Sequence, residues 1–340
     1  MTVEVTWETD VPGYGPEHRT RHSIDWLRRA LAIEVDVRGG VRYDDRVLWD
    51  RKRITADNKW VEYKDWMEDD QALFSALTHL NQYGLLFLRN IPESEESVVK
   101  IAERIGNLKD TFYGRTWDVK SKPKAENIAY TQQFLGLHMD LLYTSNPPHL
   151  QLLHSLRARA PRGESFFSDS FNAAHLLSPG HFRTLCQFPV TYHYHHPNYH
   201  YHFTRPTIEL HPRNSYSDPS GAPSISRVNW SPPFQGPFES RLGGENQTAL
   251  RNYLAAAHAY EKLLSAEENL YEYRLEEGEC VIFDNRRVLH ARRAFDAQKG
   301  ERWLKGAYVD DDVFFSKLRV LQERYEGKWV ADGVVRHKVN

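Results

Sequence analysis

From Asn127 onward the chain breaks into short apolar runs bounded by proline and glycine, and this punctuation limits the fold more than any other feature. The runs are Asn127 to Thr131, Leu150 to Leu156, Ser165 to Ser168, Val190 to Tyr194, Thr207 to Leu210, Ser224 to Asn229, Tyr271 to Leu275, Cys280 to Asp284 and Trp303 to Tyr308. Many short strands with turn residues between them build a sandwich or a barrel. Helical periodicity is confined to a few places. Ser23 is placed to cap a helix running to Ala32 with Ile24, Trp26, Leu27 and Leu31 on one side. Leu73, Phe74, Leu77 and Leu80 recur at helical spacing between Glu68 and Tyr83, and Gly84 is placed to end that helix. Further helices are predicted over Glu95 to Ile105, Glu245 to Ser265 and Asp312 to Tyr325. Thr2 to Trp7 alternates like a strand, and Leu85 to Leu88 reads as a buried one. The expectation is a mainly β fold with flanking helices outside a double-sheet jelly roll. Val41 to Asp65 is polar and reads as a linker, and Asn214 to Gly236 as a mobile excursion.

Three distant residues look like one iron site. His138 and Asp140 lie in Leu137-His138-Met139-Asp140, and His290 in Val288-Leu289-His290-Ala291-Arg292. Two imidazoles and a carboxylate on one face of an octahedral ferrous ion leave the opposite face open, which an oxygenase needs for a co-substrate and dioxygen. On an extended strand, residues two apart project to one side, so His138 and Asp140 can reach the same metal. Arg302 follows His290 by twelve residues. A guanidinium there suits the far carboxylate of 2-oxoglutarate, through two parallel hydrogen bonds. The turn Gly163-Glu164-Ser165 places a hydroxyl at Ser165 that can donate to the same carboxylate. Glu277-Gly278-Glu279 reads as a tight turn feeding the apolar strand Cys280 to Asp284, which delivers His290 to the metal.

The rest of the composition narrows the function class. A net charge of -2 gives no electrostatic case for nucleic acid or an anionic membrane. Two cysteines, Cys186 and Cys280, offer neither a disulfide framework nor a thiolate cluster. The sequence has no apolar run of eighteen residues, and Met1 to Thr6 lacks a secretory or transit pattern, so a cytosolic location is expected. Aromatic residues make up 13%, rich enough to line a pocket for a small molecule. Tyr192 to His202 alternates tyrosine with histidine, which predicts a hairpin with each residue type on its own face. Histidines at that spacing can bind a metal, although the surface of a hairpin is the plainer reading. His154 is expected as a packed core histidine. Of Arg286, Arg287, Arg292 and Arg293, one is expected to reach a carboxylate and the others to be solvated or paired.

With these residues in view, the chain from about Asn81 to its end resembles the gamma-butyrobetaine and trimethyllysine dioxygenases of the taurine-dioxygenase-like group. The resemblance is densest at Tyr113 to Trp117, Asn127 to Thr131, His138 to Asp140, Pro147 to His154, Phe283 to His290 and Gly306 to Tyr308. It implies a distorted double-stranded β-helix that holds iron(II) on His138, Asp140 and His290. It also implies 2-oxoglutarate held by Arg302 and Ser165, with dioxygen as the oxidant. An aromatic cage for a trimethylammonium head would fall on Tyr113, Trp117, Tyr130 and Tyr308, where cation–π attraction suits a cation without hydrogen-bond donors. Asn127 matches a residue close to the substrate carboxylate. A homodimer is the family expectation, and a small amino-acid-derived substrate, gamma-butyrobetaine first, the expected partner. Departures stand beside this. Val309-Asp310-Asp311-Asp312 replaces a tryptophan-bearing stretch, and Asn229-Trp230-Ser231-Pro232-Pro233 replaces an Asn-rich strand. Residues 1–65 resemble a reduced N-terminal domain without the cysteines of the family's zinc site, and 66–340 the oxygenase domain. An alternative within the class is a biosynthetic tailoring oxygenase that hydroxylates, desaturates or cyclises a different amino acid.

Overall fold

A computed structural model describes residues 1–7, 13–15, 17–24, 27, 46–120, 135–211, 224–238, 246–294 and 299–326. Two sheets form its centre. The larger runs in the order β3 (Trp60–Glu62), β4 (Leu85–Arg89), β14 (Cys280–Asp284), β7 (Leu150–Ala158), β16 (Arg302–Val309), β5 (Thr116–Lys120). Only β3 and β4 pair in parallel; the other neighbours are antiparallel. The smaller sheet runs β13 (Tyr271–Tyr273), β8 (Ser165–Asp169), β15 (Val288–Arg292), β6 (Leu135–His138), antiparallel throughout. Hairpins β1 (Thr2–Thr6) with β2 (Arg19–Ser23), β9 (Pro189–His196) with β10 (Tyr199–Pro206), and β11 (Ile208–Leu210) with β12 (Ile225–Val228) complete the strands among the described residues. This is the expected double-stranded β-helix.

Alternation along the strands divides the core into layers. Leu85 and Phe87 on β4, Val281 and Phe283 on β14, and Leu153 on β7 pack with Phe167 and Val288 of the smaller sheet. Phe167 meets Phe87 and Phe283 edge-on at 6.0 and 5.6 Å. The intervening Leu86, Leu88, Ile282 and Leu152 point the other way, against helices. Each such side chain contributes about 1.5–3 kcal/mol of burial. The helix Asp70–Tyr83 supplies Leu73, Ala76, Leu77 and Leu80 to that outer layer. Asp69 caps it by accepting from the Gln71 N–H, and Gly84 ends it at φ 70°, with its N–H bonded to Leu80 O. A Cβ at Gly84 would also press on Val288 Cγ2 at 3.0 Å, so both backbone conformation and space select glycine there. The helices Glu96–Ile105 and Asp311–Glu326 cover the same layer, and Asn246–Leu264 packs Tyr253, Ala256 and Tyr260 in a second cluster beside the β9–β10 hairpin.

The linker expected over Val41 to Asp65 is overturned in its described part. Asp50 caps the helix Arg51–Asp57, β3 edges the larger sheet, and the helix Tyr63–Glu68 follows. Composition misleads here because a few large apolar groups decide the outcome: Trp49, Ile54 and Trp66 are fully buried. Trp49 donates its indole N–H to Tyr83 O, and its backbone N–H to Asp169. The larger sheet therefore begins ahead of residue 66. Arg287 and Asp169 anchor this region as a buried two-pronged pair, at 3.0 and 2.7 Å, while Arg287 also donates to Val47 O and Gln82 O. Ser23 is the last residue of β2, and most of the helix expected after it lies outside the described residues, as do Asn127 to Thr131 and residues 212–223. The described remainder of the expected excursion is ordered into β12 and a 3-10 turn, Pro232–Phe234. No helix among the described residues is long and apolar enough to cross a membrane.

Candidate active site

His138 ends β6 and His290 lies opposite it on β15, as direct partners in the ladder. Their rings stand 4.1 Å apart. Asp140 lies beyond the strand, in a turn where Leu141 has φ 62°, so strand alternation is not what aims its carboxylate. The aim comes from elsewhere. Asn285 accepts from the Asp140 N–H at 2.8 Å and donates to the Asp140 and Pro148 carbonyls at 3.1 and 3.2 Å. Met139 N–H is bonded to Trp230 O. His290 is also delivered differently from expectation: the strand Cys280 to Asp284 ends in a turn, and β15 is a separate strand. The donor atoms of His138, Asp140 and His290 lie within 4.8 Å of one another.

The second polar atom is tied for His138 and Asp140, which decides what the first can do, while His290 Nδ1 is buried with no hydrogen-bond partner among the described residues. His138 donates Nδ1–H to Gly136 O at 2.9 Å, leaving Nε2 with its lone pair towards Asp140 Oδ1, 3.3 Å away. Tyr308 donates its hydroxyl to Asp140 Oδ2 at 2.7 Å, leaving Oδ1 facing both imidazoles. His290 Nε2 stands 3.9 Å from the same oxygen. Burial, and then His138 beside it, lower the His290 pKa to about 3, so its ring is neutral and able to ligate. Burial alone would raise Asp140, but His138, His290 and Tyr308 together hold it well below the usual carboxylate range. Two imidazole nitrogens and one carboxylate oxygen on one side of a partly buried space fit iron(II) with an open face.

Ser165 opens β8, directly across the ladder from Arg292. Arg302 opens β16 in the facing sheet, on the side that Leu304 gives to the inter-sheet core. Burial, followed by the neighbouring Arg292, lowers the Arg302 pKa, with Glu164 opposing. Three arginines of the expected cluster pair with carboxylates. Arg286 holds Asp311 and Asn146, Arg287 holds Asp169, and Arg293 holds Glu272. His154 is fully buried away from the triad, as a packed residue.

The aromatic residues expected as a cage divide. Trp117 packs against Tyr308 at 5.1 Å, and its indole lies where a Cβ on Gly306 would sit, so glycine is required at that position. Tyr113 brings its hydroxyl to within 3.3 Å of Tyr143. Asn127 and Tyr130 lie outside the described residues. Tyr143, which the sequence did not single out, continues the wall by stacking on Tyr194 at 5.2 Å and meeting Phe234 at 5.4 Å. Gln151 is another residue the sequence did not single out. It is buried between Phe283 and Tyr308 on neighbouring strands, and its Oε1 has no hydrogen-bond partner among the described residues. Asn229 is committed elsewhere, donating to Pro206 O and Glu209.

The sequence pattern of the Taurine catabolism dioxygenase TauD, TfdA family matches residues 50–308, which hold the triad, Ser165 and Arg302. The chain belongs to this family. TauD/TfdA enzymes of this kind use iron(II), 2-oxoglutarate and dioxygen. Dioxygenase str8 of Strobilurus tenacellus is 39% identical over 294 residues, spanning 82% of this chain and 66% of that protein. Gamma-butyrobetaine dioxygenase of Pseudomonas sp. is 33% identical over 259 residues, spanning 75% of this chain and 64% of that protein. The chain thus covers about two thirds of the length of these TauD/TfdA relatives. A crystal structure of a taurine dioxygenase from Burkholderia xenovorans shares the fold, with a TM-score of 0.53 and 16% identity over 74% of this chain and 88% of that one.

Proposed function

We propose that the protein is an iron(II)- and 2-oxoglutarate-dependent oxygenase that oxidises an unactivated C–H bond of a small amino-acid-derived substrate, with a betaine such as gamma-butyrobetaine the leading candidate. The observation that carries this reading is the convergence of His138, Asp140 and His290, with the spare atoms of the first two tied to Gly136 and Tyr308. Iron(II) bound there would supply the oxidation of the C–H bond by dioxygen, with 2-oxoglutarate consumed to succinate and carbon dioxide. The protein's part is placement. His290 and Arg292 are two residues apart on β15, about 7 Å at the rise of a strand, a separation that suits a five-carbon diacid lying from the metal ligands towards Arg302. In this reading Arg302 takes the far carboxylate through its planar guanidinium, and Ser165, across the ladder from Arg292, donates its hydroxyl to the same group. Trp117, Tyr308, Tyr113 and Tyr143 offer π faces that favour a quaternary ammonium head.

The tailoring-oxygenase reading has its own support. Dioxygenase str8 matches at higher identity than the gamma-butyrobetaine dioxygenase, and Asn229 is occupied within the fold. Succinate release separates the two. Anaerobically iron-loaded protein is given 2-oxoglutarate and air with gamma-butyrobetaine, trimethyllysine, their unmethylated analogues or branched amino acids. Stimulation by the methylated compounds supports the betaine reading. Stimulation only by neutral-tail amino acids keeps the oxygenase and discards the betaine, and no succinate with any of them counts against the proposed chemistry.

A further inference from the structure

The hairpin β9–β10 has two chemically distinct faces. Tyr192, Tyr194 and Tyr201 alternate inward, where Tyr194 and Tyr201 meet Tyr143 and Phe112. The opposite face carries His193, His195, His200 and His202, paired across the ladder as His193 with His202 and His195 with His200. We infer that this histidine face is a second metal-binding site, for a borderline transition-metal dication such as zinc or nickel. The inference is independent of the oxygenase reading.

Ring spacing is the first argument. His193 and His195 both stand 5.0 Å from His200, and 5.9 Å from each other. Two imidazoles on one tetrahedral ion, with metal–nitrogen bonds of about 2.0–2.1 Å, have ring centres about 5 Å apart. The backbone therefore already holds three rings at the separations a shared ion requires, and His202 stands 6.4 Å from His193 as a fourth. Among the described residues the active-site triad is the one group whose donor atoms already converge. On the hairpin the rings must turn about χ2, a broad and roughly two-fold torsion. The second argument is His193 itself. Its Nε2 is closed off from solvent and has no hydrogen-bond partner among the described residues, a state that metal ligation would relieve. His195, His200 and His202 are exposed, so an ion has a path in. A site of neutral imidazoles without a carboxylate favours zinc, nickel or copper over iron(II). Loading the active site with iron thus leaves the hairpin available. Bound there, the ion would bridge β9 and β10 behind the aromatic wall formed by Tyr194 and Tyr201.

Equilibrium dialysis of the full, tag-free chain against zinc(II), and separately nickel(II), tests the site by metal count. The wild type is expected to hold one equivalent more than His195→Ala/His200→Ala, while His138→Ala/His290→Ala retains the hairpin equivalent. His195 and His200 are exposed, so the hairpin variant is expected to melt like the wild type. His200→Asn alone, which keeps a polar side chain of similar reach, is expected to weaken the same equivalent at least tenfold. Equal metal content and affinity in the wild type and both hairpin variants would overturn the inference.

Discussion

Replacing Tyr308 by Phe removes one atom from the hydrogen bond that holds the metal-facing carboxylate. The Tyr308 hydroxyl lies 2.7 Å from Asp140 Oδ2, a charge-assisted contact inside a buried site. Net contributions of such bonds run about 1.5–3 kcal/mol. Groups that orient metal ligands change affinity about 10- to 100-fold when lost, which is roughly 1.4–2.8 kcal/mol. The two routes agree, so the iron(II) dissociation constant of Tyr308→Phe is expected to rise about 10- to 100-fold. The phenyl ring keeps its place against Trp117, 5.1 Å away, so the substrate KM at saturating iron is expected to stay within about twofold. Anaerobic dialysis gives the first quantity, and succinate release at saturating iron gives the second. Iron binding that is unchanged or tighter would refute the reasoning, since it would mean that Oδ2 does better as a second ligand atom than as an acceptor. A raised substrate KM with normal iron affinity would place the hydroxyl's role on the substrate instead.

Gly306→Ala drives a methyl group into the Trp117 indole, so substrate KM should rise while iron affinity holds; the two titrations above read this directly. Arg302→Lys keeps a charge but loses the two-pronged geometry, and the KM for 2-oxoglutarate should rise at least tenfold in succinate assays with little change in substrate KM. Asn285→Ala leaves the Asp140 N–H and the Pro148 carbonyl without their partner, which should destabilise the fold by about 2–3 kcal/mol in urea unfolding and lower iron affinity as well. Metal-free protein should lose stability on the acid side, and His154 isolates the cause. Burial lowers its pKa to about 4, so between the unfolded value near 6.5 and about 4 the unfolded chain binds the extra proton. Its contribution is thus complete above about pH 6.5 and is lost as pH falls towards 4, at most about 3 kcal/mol. Chemical denaturation of His154→Leu across that range should give a flatter profile, and an identical slope would show that His154 is not buried neutral.

The candidate metal triad was legible because few side chains can hold ferrous iron, and their spacing placed two of them together with a third on a strand; the structure brings the three donor atoms within 4.8 Å of one another. The β-rich architecture was legible from the proline and glycine punctuation, and Gly84 from its place at the end of a helical period. What was hidden is the layer behind the ligands. Asn285 meets Asp140 across 145 residues and Tyr308 meets it across 168, and no local pattern signals either contact. The same holds for the region after Val47, where a polar composition concealed Trp49, Ile54 and Trp66 as core residues. Asp140 shows a different limit. Its spacing from His138 suggested a shared strand face, yet the strand ends between them, and a turn clamped by Asn285 performs the aiming.

Tyr308 shows why those hidden contacts matter to function. Its ring belongs to the aromatic wall with Trp117, while its hydroxyl holds the ligand Asp140. Only one side chain therefore separates the face of the wall from the carboxylate of the candidate metal triad. The ring and the hydroxyl move as one rigid side chain, so the Trp117 contact and the Asp140 hydrogen bond constrain each other. Trp117 lies over Gly306, two residues before Tyr308 on β16, and both inward-facing positions belong to the strand that begins with Arg302. A single strand thus carries the proposed co-substrate anchor at one end and the ligand-orienting hydroxyl near the other. Its register against β7, set by Leu304 opposite Ser155 and Tyr308 opposite Gln151, fixes the distance between them. A one-residue slip would turn Gly306 and Tyr308 to the opposite face of the sheet, so this ladder's register is what keeps the Tyr308 hydroxyl on Asp140.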